Sequence, residues 1–313
     1  HKRHAPGRGQ RAGVHALIDV SVSIDKGETL ALVGESGSGK STLGRALLAL
    51  ETLDSGRVTF DGIDIASISL DARRRLRRRF QIVFQDAGAS LDPRLTAGAA
   101  VHEGLSIHDL AAGAAAETRM RALFDEVGLR ADLTRRFPHE LSSGQRQRVA
   151  IARTLAVDPE FMVLDEPLTA LDVSVQAQII GLLKDLQRTR NLTFLFITHD
   201  LAVAEQVASR VAVMYLGRIV EEGPADAVTS SPAHPYAIAL RSSVPSIGRG
   251  TGTERILLRG DPPTGESPPS GCAFHPRCPH PAVDAECGRS IPSLLERGAG
   301  HRVACTKNPF PLG

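Results

Sequence analysis

The stretch "ETLALVGESGSGKSTLGRALLAL", residues 28–50, constrains the fold more than any other part of the chain. Leu30 to Val33 form an unbroken apolar run of the kind that parallel strands show when both faces are covered. A glycine-rich loop follows, and then residues spaced for a helix. Gly34, Gly39, Lys40 and Ser41 satisfy the pattern G-x-x-x-x-G-K-[ST] in strand–loop–helix order. The glycines let successive backbone N–H groups turn inward beside the positive end of a helix, which makes a cradle for phosphate oxygens. Lys40 would reach the β- and γ-phosphates and the Ser41 hydroxyl would ligate Mg²⁺, with Ser36, Gly37 and Thr42 completing the cradle. An α/β chain is expected. The cradle alone leaves kinases, GTPases and many ATPases open, so the remaining motifs must choose.

"FMVLDEP" reads as a buried strand, Phe161 to Leu164, emerging at Asp165 and Glu166. Ligands of open α/β sheets gather at the carboxyl ends of strands, so both acids are placed for phosphate chemistry. Asp165 would hold Mg²⁺, largely through water, and Glu166 would polarise the water that attacks the γ-phosphate. "FLFITHD" repeats the device, with His199 at the strand's end, suited to contact the γ-phosphate and orient the water. Gln85 ends another apolar run, "QIVFQD", and could sense Mg²⁺ or water. Between these lies "LSSGQRQRVAIARTLAV". Its turn at Ser142, Ser143 and Gly144 leads into a helix and so offers a second helix N-terminus to an anion. That turn could be presented to another copy's cradle across an interface.

In this order, "GESGSGKS", "VFQD", "LSSGQRQR", "FMVLDEP", "LTALD" and "ITHD" resemble the ATP-binding cassette (ABC) ATPases, over roughly residues 14 to 230. The resemblance implies a RecA-like parallel core sheet, an antiparallel β subdomain and a helical subdomain. It also implies head-to-tail pairing of two cassettes, so that Ser142, Gly144 and Gln145 of one meet the ATP held by the other. By the same resemblance Asp172 communicates across the dimer, Glu166 is the catalytic base and His199 the γ-phosphate switch. Two features depart from the family. Ser143 stands where the first of two glycines is usual, which puts a side chain where backbone approaches phosphate. No aromatic residue precedes Phe60, so the usual adenine-stacking position falls near His4 or Ala5.

Residues 88–140 carry an alanine-rich helical pattern and resemble the helical subdomain that docks on transmembrane partners. The run "RRRLRRR", residues 73–79, reads as a solvated helix face rather than a nucleic-acid or lipid site, because it lacks interleaved aromatics. A formal net charge of +2 gives no electrostatic case for nucleic acid. No apolar run approaches the eighteen residues of a membrane span, and no signal peptide is evident at the start. Membrane association is therefore expected through partners, at the cytoplasmic face. The chain opens on His1 without an initiator Met, as a fragment lacking a preceding strand would.

After Gly223 the composition shifts to Pro, Ser and Gly, which marks a small loop-rich extension rather than more doubly wound sheet. Residues 1–230 are read as the nucleotide-binding domain and 231–313 as the extension. "PAHPYAIAL" and "PPSGCAFHPRCP", with "FQD" and "ASLDPR" upstream, resemble the oligopeptide/dipeptide branch of ABC importers. That resemblance implies a second ATPase subunit, commonly a different chain, two permease subunits and an extracytoplasmic solute-binding protein. The solute would be a di- or oligopeptide; nickel or another small solute, or a soluble role in DNA repair or translation, are the alternatives. Cys272, Cys278, Cys287 and Cys305 have five, eight and seventeen residues between them. The absence of Cys-x-x-Cys makes zinc a poor fit. Four thiolates on an irregular loop can hold a [4Fe–4S] cluster, as members of this branch do, and free or disulfide-forming thiols are the other reading.

Overall fold

The computed structural model describes residues 1–5, 13–169, 171–244, 255–258, 260–261, 263, 265–298 and 300–307. Ala170 of "LTALD" and residues 245–254 of the Pro/Ser/Gly stretch lie outside the described residues. Two compact units are present. The first comprises His1–Ser23, Thr29–Ile63 and Thr198–Gly313, and the second Ile24–Glu28 and Asp64–Ile197. The cysteine-bearing extension thus shares a unit with the phosphate loop.

In the first unit the strand Thr29–Val33 is buried at every residue, as its unbroken apolar run requires. It runs parallel to Arg210–Tyr215, with Leu30 opposite Arg210 and Val33 opposite Val213. Arg218–Pro224 then pairs antiparallel with Arg210–Tyr215. Leu216 and Gly217 between them both take left-handed backbone, φ 43° and 76°, as a two-residue hairpin turn demands. The extension contributes two further antiparallel strands: His301–Val303 pairs with Arg218–Pro224, and Leu295–Gly298 pairs with His301–Val303. The punctuated tail therefore adds sheet at an antiparallel edge, which its composition did not reveal. A second small sheet joins Lys2–His4 to Val14–Leu17.

Aromatic packing explains why the extension stays with this sheet. The chain has two tyrosines and no tryptophan. Both tyrosines, Tyr215 and Tyr236, are buried with Phe274 in one cluster. Ring centroids lie 4.7 Å apart for Tyr215–Tyr236, 5.1 Å for Tyr215–Phe274 and 5.3 Å for Tyr236–Phe274. These are tilted and edge-on geometries that the ring quadrupole favours. Tyr236 lies on the helix Pro235–Ser242, whose buried cap His234 accepts a hydrogen bond from Tyr236 N at Nδ1, 3.1 Å.

The same unit buries two consecutive acids. Glu221 is wholly inaccessible, and its carboxylate accepts from the backbone N–H groups of Ala233 (2.9 Å) and His234 (2.7 Å). His301 Nε2 lies 2.7 Å from the same group. Glu222 is paired with Arg210 and, at 2.7 Å, with Arg302. Each carboxylate therefore joins the extension or the helices after the hairpin to the sheet.

The second unit has three parallel strands in the order Phe80–Val83, Phe161–Asp165, Thr193–Thr198. Phe80 faces Phe161, and Asp165 faces Ile197. The helices Ala97–Ile107 and Gly113–Glu126 pack with Ser143–Leu155 around Val101, Leu105, Leu123, Phe124 and Ile151, all buried. Thr96 starts the first of these by accepting from Ala99 N at 3.3 Å. The arginine run is only partly a solvated face. Arg73, Arg74 and Arg75 lie on the helix Leu70–Leu76, but Arg79 forms a two-point pair with Glu160 (2.6 and 2.9 Å), and Arg78 Nε donates to Val157 O at 3.1 Å. These contacts tie the run to the residues that lead into the acid strand. Among the described residues, no helix is long and apolar enough to cross a membrane.

The buried carboxylate of Glu221 yields a stability prediction. Glu221→Ala leaves two backbone donors and a histidine without their acceptor, and is expected to cost about 3 kcal/mol. The midpoint of urea unfolding measures it; a loss below about 0.5 kcal/mol, the range of an ordinary surface change, would refute the role given to this carboxylate.

Candidate nucleotide-binding site

The cradle is built as its sequence requires. The strand Thr29–Val33 ends at buried Gly34, and the helix Lys40–Leu47 starts after Gly39. Gly39 takes φ 104°, and a Cβ there would lie 2.2 Å from Ala16 O. A Cβ on Gly34 would lie 2.2 Å from Met214 O. Only glycine satisfies both positions. Gly37, at φ 79°, has nothing within 4 Å of where a side chain would begin, so the exposed tip formed by Ser36 and Gly37 opens outward. Lys40 is 4% exposed, and its ammonium donates to Gly34 O (2.7 Å) and Glu35 O (2.9 Å), holding the loop curled over it. Ser38, which the sequence reading did not single out, is buried, and its Oγ makes no hydrogen bond within the protein. An inward-curled loop with a buried cation and an unsatisfied hydroxyl fits an anion made of many oxygens.

His4 belongs to this unit too. Its Nε2 and the Thr42 hydroxyl share a hydrogen bond at 3.3 Å, and its Nδ1 lies 3.4 Å from Glu51. The strand pairing of Lys2–His4 therefore brings the expected adenine-side residue to the cradle helix. His199, at the end of the strand Thr193–Thr198, is exposed, and Asp200 beside it caps the next helix by accepting from Ala202 N at 2.8 Å.

In the second unit, folding brings Gln85 and Glu166 together from 81 residues apart: Gln85 Nε2 donates to Glu166 Oε2 at 3.2 Å. The Thr169 hydroxyl donates to the same oxygen at 3.1 Å. Thr169 was not foreseen; its only signal was a hydroxyl three residues after a carboxylate in "EPLT". Glu166 has φ 46°, a left-handed backbone that few non-glycine residues adopt. Pro167 bars the right-handed region for the residue before it, and Glu166 N donates to Ile197 O at 3.0 Å. The strained turn aims the carboxylate beyond the strand's end, a placement found at functional sites. Asp165 is the last residue of its strand and 3% exposed. The Ser41 hydroxyl and the Asp165 carboxylate are both hard oxygen donors, the type Mg²⁺ takes.

The serine-glycine turn is a capped helix start. Ser142 Oγ accepts from Gln145 N (3.2 Å) and Gln145 Oε1 accepts from Ser142 N (2.9 Å), a reciprocal capping box on the helix Ser143–Leu155. Ser143 is the first helical residue. A Cβ on Gly144 would lie 2.6 Å from Val175 Cγ1, so helix packing also favours glycine there. Asp172 stands at the cap of the helix Val173–Arg190, beside Val173, which is 82% exposed.

All four cysteines are free and line one small cavity of the first unit, together with His234, Phe274, His280 and Lys307. Burial pushes the thiols of Cys272 and Cys305 up, and that of Cys278 up to about 11, with the neighbouring cysteines adding to the shift. Without a ligand these three thiols are protonated at neutral pH. Among the described residues, no group of three His, Cys, Asp or Glu side chains could hold a single metal ion.

Comparison with known proteins gives the family. The ABC transporter family model matches residues 17–169, and the model for the oligopeptide/dipeptide transporter C-terminal region matches residues 220–287. A Brucella ovis protein named for peptide import and ATP binding is 48% identical over 297 residues, covering 95% of this chain and 93% of its own length. The oligopeptide transport ATP-binding protein AppF of Bacillus subtilis is 44% identical over 296 residues, covering 93% and 89%. Among solved structures, the ATP-binding cassette MJ0796, as a dimer in a post-hydrolysis state with ADP and phosphate, matches with TM-score 0.65 and 32% identity over 72% of this chain and 95% of that one. CbiO1 of Clostridium perfringens, part of an ABC transporter complex, matches with TM-score 0.63 and 30% identity over 70% and 86%. The chain belongs to the ATP-binding proteins of ABC transporters, in the branch that carries the oligopeptide/dipeptide transporter C-terminal region.

Proposed function

We propose that this chain hydrolyses ATP to power the import of di- and oligopeptides across the cytoplasmic membrane. One observation carries the reading: a complete phosphate cradle and acid strand share a chain with the C-terminal region of oligopeptide/dipeptide transporters. The two named relatives, similar over almost their whole length, are both described as transport or import ATP-binding proteins for peptides.

In this reading Gly34, Ser36, Gly37, Gly39, Lys40, Ser41 and Thr42 hold the triphosphate. Ser41 and Asp165 would hold Mg²⁺, with Gln85 as a further contact, and the ion would neutralise charge on the phosphate oxygens. Glu166 accepts a proton from water as that water's oxygen bonds to the γ-phosphorus. The bond from γ-phosphorus to the β–γ bridging oxygen breaks, leaving ADP and phosphate. Gln85 and Thr169 both hold Oε2 of Glu166 and so orient its carboxylate. His199 contacts the γ-phosphate and reports its presence. The nucleotide is closed over by Ser142, Gly144 and Gln145 of a second cassette, with Asp172 carrying the signal between the two. Ser143 narrows that contact, which suits an asymmetric pair of two different ATPases.

The helical region within 88–140 transmits closing and opening to two permease subunits at the cytoplasmic face of the membrane, and an extracytoplasmic solute-binding protein delivers the peptide. Residues 1–230 form the working cassette and 231–313 its importer-type extension. The reading of a cluster is supported by the one cavity that all four cysteines line. A [4Fe–4S] cluster held by Cys272, Cys278, Cys287 and Cys305 would be structural or regulatory and takes no part in hydrolysis.

Three measurements test these assignments. Glu166→Gln should bind ATP about as tightly as the parent while turnover falls about 100-fold or more; undiminished phosphate release would remove Glu166 from the base role. Affinity purification from membranes should retain two permeases and a second ATPase, and recovery with DNA-repair or ribosomal components instead would overturn the transport reading. Protein purified without oxygen should carry iron and broad visible absorbance, both lost in Cys278→Ser. Iron-free, colourless protein would reject the cluster.

A further inference from the structure

The first variable position of the phosphate loop is an acid, Glu35, directly after Gly34. A carboxylate there is an electrostatic liability, since the loop's ligand is a polyanion. The structure shows how it is answered. Arg277, 242 residues away in the cysteine-bearing extension, meets Glu35 with both ends of its guanidinium: Nη1 donates to Oε2 at 2.9 Å and Nη2 to Oε1 at 3.4 Å. Nη1 also donates to Tyr215 Oη at 3.4 Å. The Arg277 side chain is only 8% exposed and that of Glu35 29%, so solvent screens the pair far less than a surface ion pair. The backbone is held from the same side, because Glu35 N donates to Tyr236 Oη at 2.7 Å.

Arg277 is fixed by its own surroundings. It ends the short 3₁₀ turn His275–Arg277, between Phe274 in the buried aromatic cluster and Cys278 at the cysteine cavity. Cys272 and Cys278 both pack against the core that contains Tyr215, Tyr236 and Phe274. The guanidinium is thus rooted in the extension and aimed at the loop.

We infer that Arg277 is a positioning residue of the ATP site: it neutralises Glu35 and holds the carboxylate away from the triphosphate, so that the extension sets the charge of the phosphate loop without touching nucleotide. Removing the guanidinium leaves a partly buried carboxylate next to incoming phosphates, which weakens binding by like-charge repulsion. Removing the carboxylate as well abolishes the reason for the weakening. A mere staple between extension and sheet forecasts instead that Glu35→Gln alone already weakens binding, because losing either half breaks the pair. The inference rests on residues 34–42 being the triphosphate site.

The test is equilibrium titration of the full chain with a fluorescent N-methylanthraniloyl-ATP, for the parent, Arg277→Gln, Glu35→Gln and the double variant. Arg277→Gln is expected to bind about tenfold more weakly. The double variant should recover at least about fivefold of that loss, because its loop carries no charge to neutralise. Glu35→Gln alone, which keeps the arginine and so its packing, should bind no more than about threefold more weakly than the parent. Parent-like affinity in Arg277→Gln, or a double variant no tighter than Arg277→Gln, would overturn the inference. Should Arg277→Gln fail to fold, Glu35→Gln decides: a loss of about tenfold or more would show that the pair acts as a staple. Absence of binding in the parent itself would instead count against the nucleotide site as a whole.

Discussion

A buried strand stops at Val33, and the chain must re-enter a helix by Lys40 with its amides turned toward one point. That turn is possible only because Gly34 and Gly39 lack side chains where Met214 O and Ala16 O approach. The constraint is steric before it is chemical. Ala16 lies on the strand paired with the N-terminal segment and Met214 on the strand beside the cradle strand, so the loop's shape depends on two sheets of its unit. Lys40, buried and bonded to two loop carbonyls, keeps that shape and supplies the charge.

In the other unit a comparable constraint acts through proline. Glu166 occupies left-handed backbone, with the right-handed region disfavoured by Pro167 and its amide engaged by Ile197 O. The cost of that conformation, of order 1–3 kcal/mol, is borne by the buried strands beneath it. Its result is a carboxylate oxygen clasped by Gln85 and Thr169 beyond the strand's end. Preorganised contacts of this kind orient the carboxylate in advance, so little rearrangement is needed when a ligand arrives.

The extension is more closely built into its unit than a punctuated tail suggests. Its strands add to the antiparallel edge, Glu221 and Glu222 exchange charge-assisted bonds with His301 and Arg302, and Phe274 joins the only two tyrosines. Both carboxylates and all three rings are buried, so these contacts meet little competition from water on at least one side. Arg277 extends the same logic to the phosphate loop, so the cysteine cavity and the cradle share a wall of buried aromatic rings.

Local patterns made several features legible without coordinates. An apolar run, glycines at fixed offsets and a following helix are properties of consecutive residues, so the cradle, the acid strand, the capped turn at Ser142 and the helix after it could be read directly. The cysteines could be grouped by their clustering, and the family by the order of its motifs. Contacts between residues far apart in sequence left no such trace. Nothing in "FHPRCP" announces that its arginine meets Glu35, and nothing near Gln85 identifies Glu166 and Thr169 as its neighbours. The tail's strands were hidden because pairing with an existing edge needs only a few extended residues, which Pro- and Gly-rich composition does not forbid. Sequence by itself determined which chemistry this protein carries, because phosphate-binding geometry is encoded over a few adjacent residues. Tertiary structure alone decided which side chains restrain that chemistry, because ion pairs and aromatic contacts depend on distance in space and not on separation along the chain.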